Sequence, residues 1–264
     1  MKKYFIIWLR QLKNGLSQRM AYPVNFLMMC IGAVLSMSLV LIFIQIIFSF
    51  VDKLAGWQKS EAMIVVATYM LVEGLVWATV AMLSGIATNI RTGFLDILIT
   101  KPIDLQYLVS VWRADPEDWA RVVIALIVLL LNIPLLGLSS WELFGNSVVY
   151  LFFVFNAYLI VYSIFVFLKS ISFWVIESRY AHMVGETILQ SSKYPIDIFF
   201  HQVVRVIFST ILPIAFIATV PARILIHGPK LGLVVYSSAL AFVFFYLSRR
   251  FFHRGLKRYE SASS

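Results

Sequence analysis

Bond-breaking chemistry needs polar groups gathered at defined spacing: a nucleophile with its base, a carboxylate pair, or a set of metal ligands. The four histidines, His182, His201, His227 and His253, stand 19, 26 and 26 residues apart. No His-Glu-x-x-His or Gly-x-Ser-x-Gly arrangement occurs among them. A single cysteine, Cys30, excludes a disulfide framework and, beside such scattered histidines, a zinc site. The densest polar group is Glu177, Arg179, His182 and Glu186, and its spacing matches no catalytic motif. The Gly-x-x-x-x-Gly-Lys-Ser/Thr loop that cradles nucleotide phosphates is missing as well. The chain is therefore expected to be no enzyme and to bind no cofactor or metal itself.

What remains are isolated polar residues inside apolar runs, Gln45, Glu73 and Asn156, which are the candidates for a translocation path. Glu73 is the ionisable one, and a carboxylate at the centre of a membrane span costs about 2.5–3.5 kcal/mol on insertion scales. Two readings stand for it. It is either a polar point on a translocation surface or proton path, or a protonated carboxyl that holds a neighbouring helix by a hydrogen bond. Gly74 with Ala78, and Ala81 with Gly85, form small-xxx-small pairs on the same run, which allow close helix approach and suggest a dimer interface.

These residues sit in a chain of 264 residues that is 61% hydrophobic and 13% charged. Such a composition excludes a soluble domain, a disordered tail, a coiled coil and, despite a net charge of +9, a conventional nucleic-acid module. Crossing a hydrocarbon core of about 30 Å takes about 20 apolar residues in a helix. Residues 24–50, 62–87, 122–138, 148–168 and 231–247 meet that test. The region 169–223 supplies one more span, either 173–192 or 203–220. The first carries Glu177, Arg179, His182 and Glu186, and the second carries Arg205, Pro213 and the adjoining Pro221. With 173–192 as the span, 195–226 becomes a broken re-entrant segment. Either division predicts an all-helical, polytopic protein with six transmembrane helices in a single domain over 1–264.

Lysine and arginine set the orientation, because they accumulate on the cytoplasmic side. With 203–220 as the fifth span, residues 1–19, 88–121, 169–205 and 249–264 hold 18 of them and the opposite loops hold 4. Both termini are thus predicted to be cytoplasmic, with 249–264 a basic tail. At the N-terminus, Phe5, Trp8, Leu9, Leu12 and Leu16 fall on one side of a helix and Lys3, Arg10, Asn14 and Gln18 on the other. Residues 1–22 read either as an interfacial amphipathic helix, its cations on anionic lipid head groups, or as a solvated basic leader. The following apolar run is too long for a signal peptide and lacks its cleavage site.

The cytoplasmic loop 88–118 carries the densest local signal. Phe94, Leu95, Leu98 and Ile99 form an apolar stripe of about two helical turns, which Pro102 ends by removing an amide donor. Composition leaves open whether that stripe meets a partner or the membrane. Further on, Asp115-Pro116-Glu117-Asp118 reads as a helix start, with Asp115 as the cap and Pro116 at the first position.

Gly93, Asp96, Leu98, Ile99, Lys101, Pro102 and Ile103 fit a Gly-x-x-Asp-x-x-Leu-x-Lys/Arg-Pro-Ile/Val loop, with a one-residue ambiguity in the leucine. In this the sequence resembles the six-span permease subunits of type-2 ABC exporters. Similar stretches follow at Lys193-Tyr194-Pro195-Ile196-Asp197-Ile198-Phe199, at Ile211-Leu212-Pro213, at Val220-Pro221-Ala222-Arg223 and in the tail Gly255-Leu256-Lys257-Arg258-Tyr259-Glu260-Ser261-Ala262. The resemblance implies a permease in a bacterial inner membrane. It implies a second permease subunit, identical or related, and two separate ATP-binding cassette subunits that hold the ATP and magnesium. It makes Phe94 to Lys101 the coupling helix, with Gly93, Phe94, Asp96, Leu98, Lys101 and Pro102 as coupling residues, although Asp96 read from the residues alone also fits a local helix contact. It favours 173–192 as the fifth span, and implies export of a hydrophobic or amphipathic substrate. Two rivals are an ion-driven secondary transporter centred on Glu73 or on Glu177 to Glu186, and a lipid-modifying membrane enzyme using the latter group.

Overall fold

The computed structural model describes residues 2–80, 85–112, 115–175, 179–199 and 202–259. Among these the regular elements are helices and helical turns, with a single isolated bridge between Leu54 and Trp57. The helices are α1 (Lys2–Met20), α2 (Pro23–Phe50), α3 (Lys59–Val80), α4 (Ile86–Arg91), α5 (Phe94–Ile99) and α6 (Leu105–Val111). They continue as α7 (Trp119–Asn132), α8 (Ser140–Ser170), α9 (Arg179–Gln190), α10 (Gln202–Thr210), α11 (Thr219–His227) and α12 (Leu231–Leu256). Local chemistry places several boundaries. Pro23 sits at the start of α2, where its missing amide donor costs nothing. Ser139 and Glu142 close a reciprocal capping box at α8. Asp115 precedes the turn Pro116–Asp118 as expected, yet its carboxylate makes no cap bond and instead pairs with Arg19 at 2.7 Å. Arg19 also reaches Glu117 at 2.8 Å, which ties the end of α1 to the start of α7.

α3 is the hub. It packs against α7, α8, α2 and α11, and 83% of its most apolar window is buried, against 17% for the corresponding windows of α2 and α12. Gly74 permits its closest approach: a β-carbon there would lie 2.9 Å from a Val122 methyl and 3.1 Å from the Val122 nitrogen. The Gly74–Ala78 pair therefore serves helix packing inside the chain rather than a dimer contact, and Ala78 is fully buried with it. The Ala81–Gly85 pair involves Ala81, which lies outside the described residues. Around the hub, α2, α7 and α12 turn large apolar side chains outward, among them Leu35, Leu39, Leu130 and Phe242. Apolar surface of that extent cannot face water, and its cover is lipid. The chain is a membrane protein.

Among the described residues, five helical stretches are long and apolar enough to cross a membrane: Pro23–Phe50, Lys59–Val80, Pro116–Leu136, Ser140–Phe173 and Leu231–Leu256. Neither 173–192 nor 203–220 is a continuous helix. α9 has 12 residues, about 18 Å of helix, and α10 stops at Thr210, ahead of Pro213. Beyond the turn Ile214–Phe216, α11 runs alongside α8 and α3 and is fixed by a bond from Asn146 Nδ2 to the Leu225 carbonyl at 3.1 Å. Asp197 pairs with Arg223 and accepts from the Trp57 indole at 3.0 Å, at the end of the bundle away from the chain's termini. Ile211, which is exposed, and Leu212, between α10 and α11, line a cleft together with Leu247 and Ser248 of α12.

Candidate coupling surface and polar cavities

At the end of the bundle where the chain starts and finishes, Gly93 holds φ +70°, a left-handed turn open to glycine at little cost, and so redirects the backbone from α4 into α5. Leu95 and Leu98 are then fully buried in the chain, and Phe94 packs edge-on against Trp112 at 5.7 Å. The stripe that the sequence offered to a partner is thus largely spent internally, because these side chains anchor the short helix to α6 and the core. What faces outward is Ile97, 53% exposed, and Ile99, 44% exposed, with Lys101 and Pro102 beyond them. Asp96 is half-buried. Ile97 was not singled out by the sequence pattern, since a two-turn stripe can be drawn on either side of so short a helix.

The loop is fastened on three sides. Lys3 Nζ donates to the Pro102 carbonyl at 3.1 Å, and the Tyr107 hydroxyl donates to the Tyr4 carbonyl at 2.7 Å. Asp104 caps α6 by accepting from the Tyr107 amide at 3.0 Å, and both of its oxygens accept from Arg249 of α12, at 2.7 and 3.3 Å. Burial works against the charge on Asp104, but the Arg249 guanidinium and the Tyr107 amide outweigh it and hold the carboxyl below the usual carboxylate range.

Glu73 is 4% exposed, and its Oε1 stands 3.3 Å from Arg121 Nη1 on α7. Arg121 Nε lies 3.1 Å from Asp118. Glu73 thus faces Arg121 where α3 and α7 touch, at a contact between two helices. Arg121 was not singled out in the sequence; the signal that could have found it is a lone cation at the edge of an apolar run. Next to this pair, Trp77, Asp115, Asp118, Arg121, His182 and Glu186 line a polar cavity of about 360 Å³. The fold thus brings part of the Glu186 group, from α9, beside Glu73; Glu177 lies outside the described residues. Gln45 and Asn156 stand elsewhere: Gln45 is exposed on α2, and Asn156 donates to Ser237 on α12 at 3.1 Å. The fold does not bring Gln45, Glu73 and Asn156 together. No group of three or more potential metal ligands occurs among the described residues.

A larger cavity, of about 680 Å³, lies under α1 and is closed by α6, α8 and α12. Its size is that of an ordinary ligand pocket. Tyr4, Trp8, Leu159, Phe245 and the Asp104–Arg249 pair are among its lining. Gln106, Ser110 and Tyr162 are its polar wall.

Curated proteins and solved structures each yielded no match. Residues 34–263 match the family described as ABC-2 family transporter protein, a match that leaves out α1 and the first turns of α2, covers the other helices and reaches the basic tail. With apolar helices built to cross a bilayer and a family match over most of its length, this chain belongs to the ABC-2 transporter family and is a transmembrane permease of that kind.

Proposed function

We propose that the chain is the permease subunit of an ATP-driven exporter in a bacterial inner membrane, paired with a second permease subunit and with two separate ATP-binding cassette subunits that hold ATP and magnesium. The observation that carries this reading is α5, a short helix seated on two fully buried leucines with Ile97, Ile99 and Lys101 turned outward. A surface helix that is rigidly based and bears two exposed isoleucines next to a cation has the form of a plug for an apolar groove with an acidic rim. Its base is tied through Asp104 and Arg249 to the last long helix, so force applied to α5 passes directly into the bundle. In this reading both termini face the cytoplasm, α9 serves as a shortened fifth span, and α10–α11 form a re-entrant hairpin on the outer side. The substrate passes between two permease subunits.

The test is purification of the tagged protein from native membranes in mild detergent, followed by identification of what accompanies it. A stoichiometric ATPase is expected, and Ile97→Asp with Ile99→Asp should remove it while leaving the permease monodisperse. No ATPase under conditions that preserve other transporter complexes would overturn the assignment.

One observation favours an ion-driven alternative: the cavity that joins Glu186 and His182 to the Glu73–Arg121 pair. That reading requires Glu73→Gln to abolish dependence of transport on an ion gradient, whereas the ATP-driven reading requires transport to follow the ATPase partner.

A further inference from the structure

α8, α9 and α12, together with Ile211 and Leu212, line a cleft of about 510 Å³. Ser163 and Ser248 carry the only side-chain oxygens in that lining. Both hydroxyls are spent on their own helices, Ser163 donating to the Leu159 carbonyl at 2.6 Å and Ser248 to the Phe245 carbonyl at 3.0 Å. Every other lining side chain is aliphatic or a phenyl ring. A polar group placed there would give up hydrogen bonds and find none in return, so the cleft takes hydrocarbon. Val184 and Leu247, each about half exposed, open it to the surface that lipid covers.

Size separates the hydrocarbon groups available in a bilayer. An α-helix is about 10 Å wide and rises about 5.4 Å per turn, about 420 Å³ in all, so a partner's helix could seat little more than one turn in this cleft. A methylene group is about as large as a water molecule, which takes about 30 Å³ in the liquid, so one chain of about 17 carbons fits.

The same face of α12 bears on what that chain is attached to. Phe244, Leu247, Phe251 and Arg254 recur at spacings of three and four residues, which sets them in one row along the helix. Phe251 lies 4.5 Å from the Phe167 ring and 4.8 Å from Trp174, so an aromatic stack continues the cleft toward the end of α12. Tryptophan and tyrosine rings gather at the level of lipid head groups. Arg254 follows, exposed and about 10 Å along the axis from Leu247. The two arginines before it are engaged, Arg249 with Asp104 and Arg250 with the ring and hydroxyl of Tyr246. Arg254 has no side-chain hydrogen bond or ion pair among the described residues, and α12 contains no carboxylate.

We propose that this cleft holds one acyl chain of an anionic phospholipid, such as phosphatidylglycerol, with the lipid phosphate on Arg254 and the glycerol beside the Phe251–Trp174 stack. The chain fills the space between α9 and α12 and limits how far the two can close. This goes beyond the export reading and needs only residence in a membrane, so loss of the ATPase partner and loss of the lipid are separate results.

The test uses the purified full-length protein with dioleoyl phosphatidylglycerol or dioleoyl phosphatidylcholine, and native mass spectrometry reads the bound lipid. A phosphatidylglycerol with a diazirine near the end of one chain reports where that chain lies, through the peptides it labels on irradiation. Phosphatidylglycerol should bind about fivefold more tightly than phosphatidylcholine, the effect of one cation near an anionic head group. Label should concentrate in 163–168, 184–188 and 244–248. Arg254→Gln should erase the preference, whereas Lys53→Gln, an equal loss of charge in the connection from α2 to α3, should keep it. Val184→Trp with Leu247→Trp should fill the cleft, weaken both lipids and move the label elsewhere. Glycerol phosphate, a head group without a chain, should not compete. Equal binding of the two lipids, a preference that survives Arg254→Gln, competition by glycerol phosphate, or label spread evenly over α2 and α7 would each overturn the proposal. So would crosslinks from 184–188 or 244–248 to a second copy of the chain in place of lipid label. If the double tryptophan variant fails to fold, the label map and Arg254→Gln still decide it.

Discussion

Replacing Arg121 with methionine removes the guanidinium that stands between two buried carboxylates, 3.3 Å from Glu73 and 3.1 Å from Asp118. At an effective dielectric constant of about 20, unit charges at such a separation attract by about 5 kcal/mol. Arg121 keeps 23% of its side chain exposed, and solvent screening lowers the attraction to about 3 kcal/mol. That matches the lower end of the range for breaking a buried pair by removing one partner, about 3–5 kcal/mol, because the orphaned carboxylate stays buried. Arg121→Met should therefore cost about 3 kcal/mol in reversible denaturant unfolding in micelles. Glu73→Gln should cost less, since the amide remains polar but needs no counter-charge. The double variant should be more stable than the two single losses add up to, with a coupling of at least about 1 kcal/mol. Additivity within about 0.3–0.5 kcal/mol would show that the two groups do not sense each other and would refute the account of Glu73 as a paired packing residue.

Gly74→Ala places a methyl 2.9 Å from Val122 and should cost about 1–3 kcal/mol in the same unfolding assay. Val122→Ala should rescue it only in part, because the Val122 backbone nitrogen is also within 3.1 Å. Leu95→Ala opens a cavity under α5 and should lower stability by about 2–5 kcal/mol, whereas Ile97→Asp should leave stability unchanged while weakening ATPase binding. Asp104 has a folded-state carboxyl below the ordinary carboxylate range, so its latch to Arg249 contributes above that range and is lost as pH falls through the lowered value. Hydrogen exchange in 94–108 should rise in acid for the native protein and be raised already at neutral pH in Asp104→Asn.

Much of the architecture was legible because a bilayer leaves few choices. Long apolar runs must be helices there, and the runs at 24–50, 62–87, 122–138, 148–168 and 231–247 all contain or overlap one of the five long helices. The proline breaks around α10 and α11 are local signals, and they survive folding, whereas Asp115, read as a cap, makes no cap bond. The start and stop of α5 were readable for the same reason: glycine before it, proline after it.

Tertiary structure decided what those elements present to one another. A six-residue helix has apolar side chains on most sides, and only the position of α6 and the core determines that Leu95 and Leu98 go in while Ile97 and Ile99 go out. Gly74 permits close approach to any helix, and the chain's own α7 occupies that place. Glu73 gained its meaning from Arg121, 48 positions away, and the polar wall of the α1 cavity joins Gln106 to Tyr162 across 56. Sequence periodicity reports which face of a helix is apolar or polar. Which partner meets that face is a long-range matter, set by packing that no local window contains.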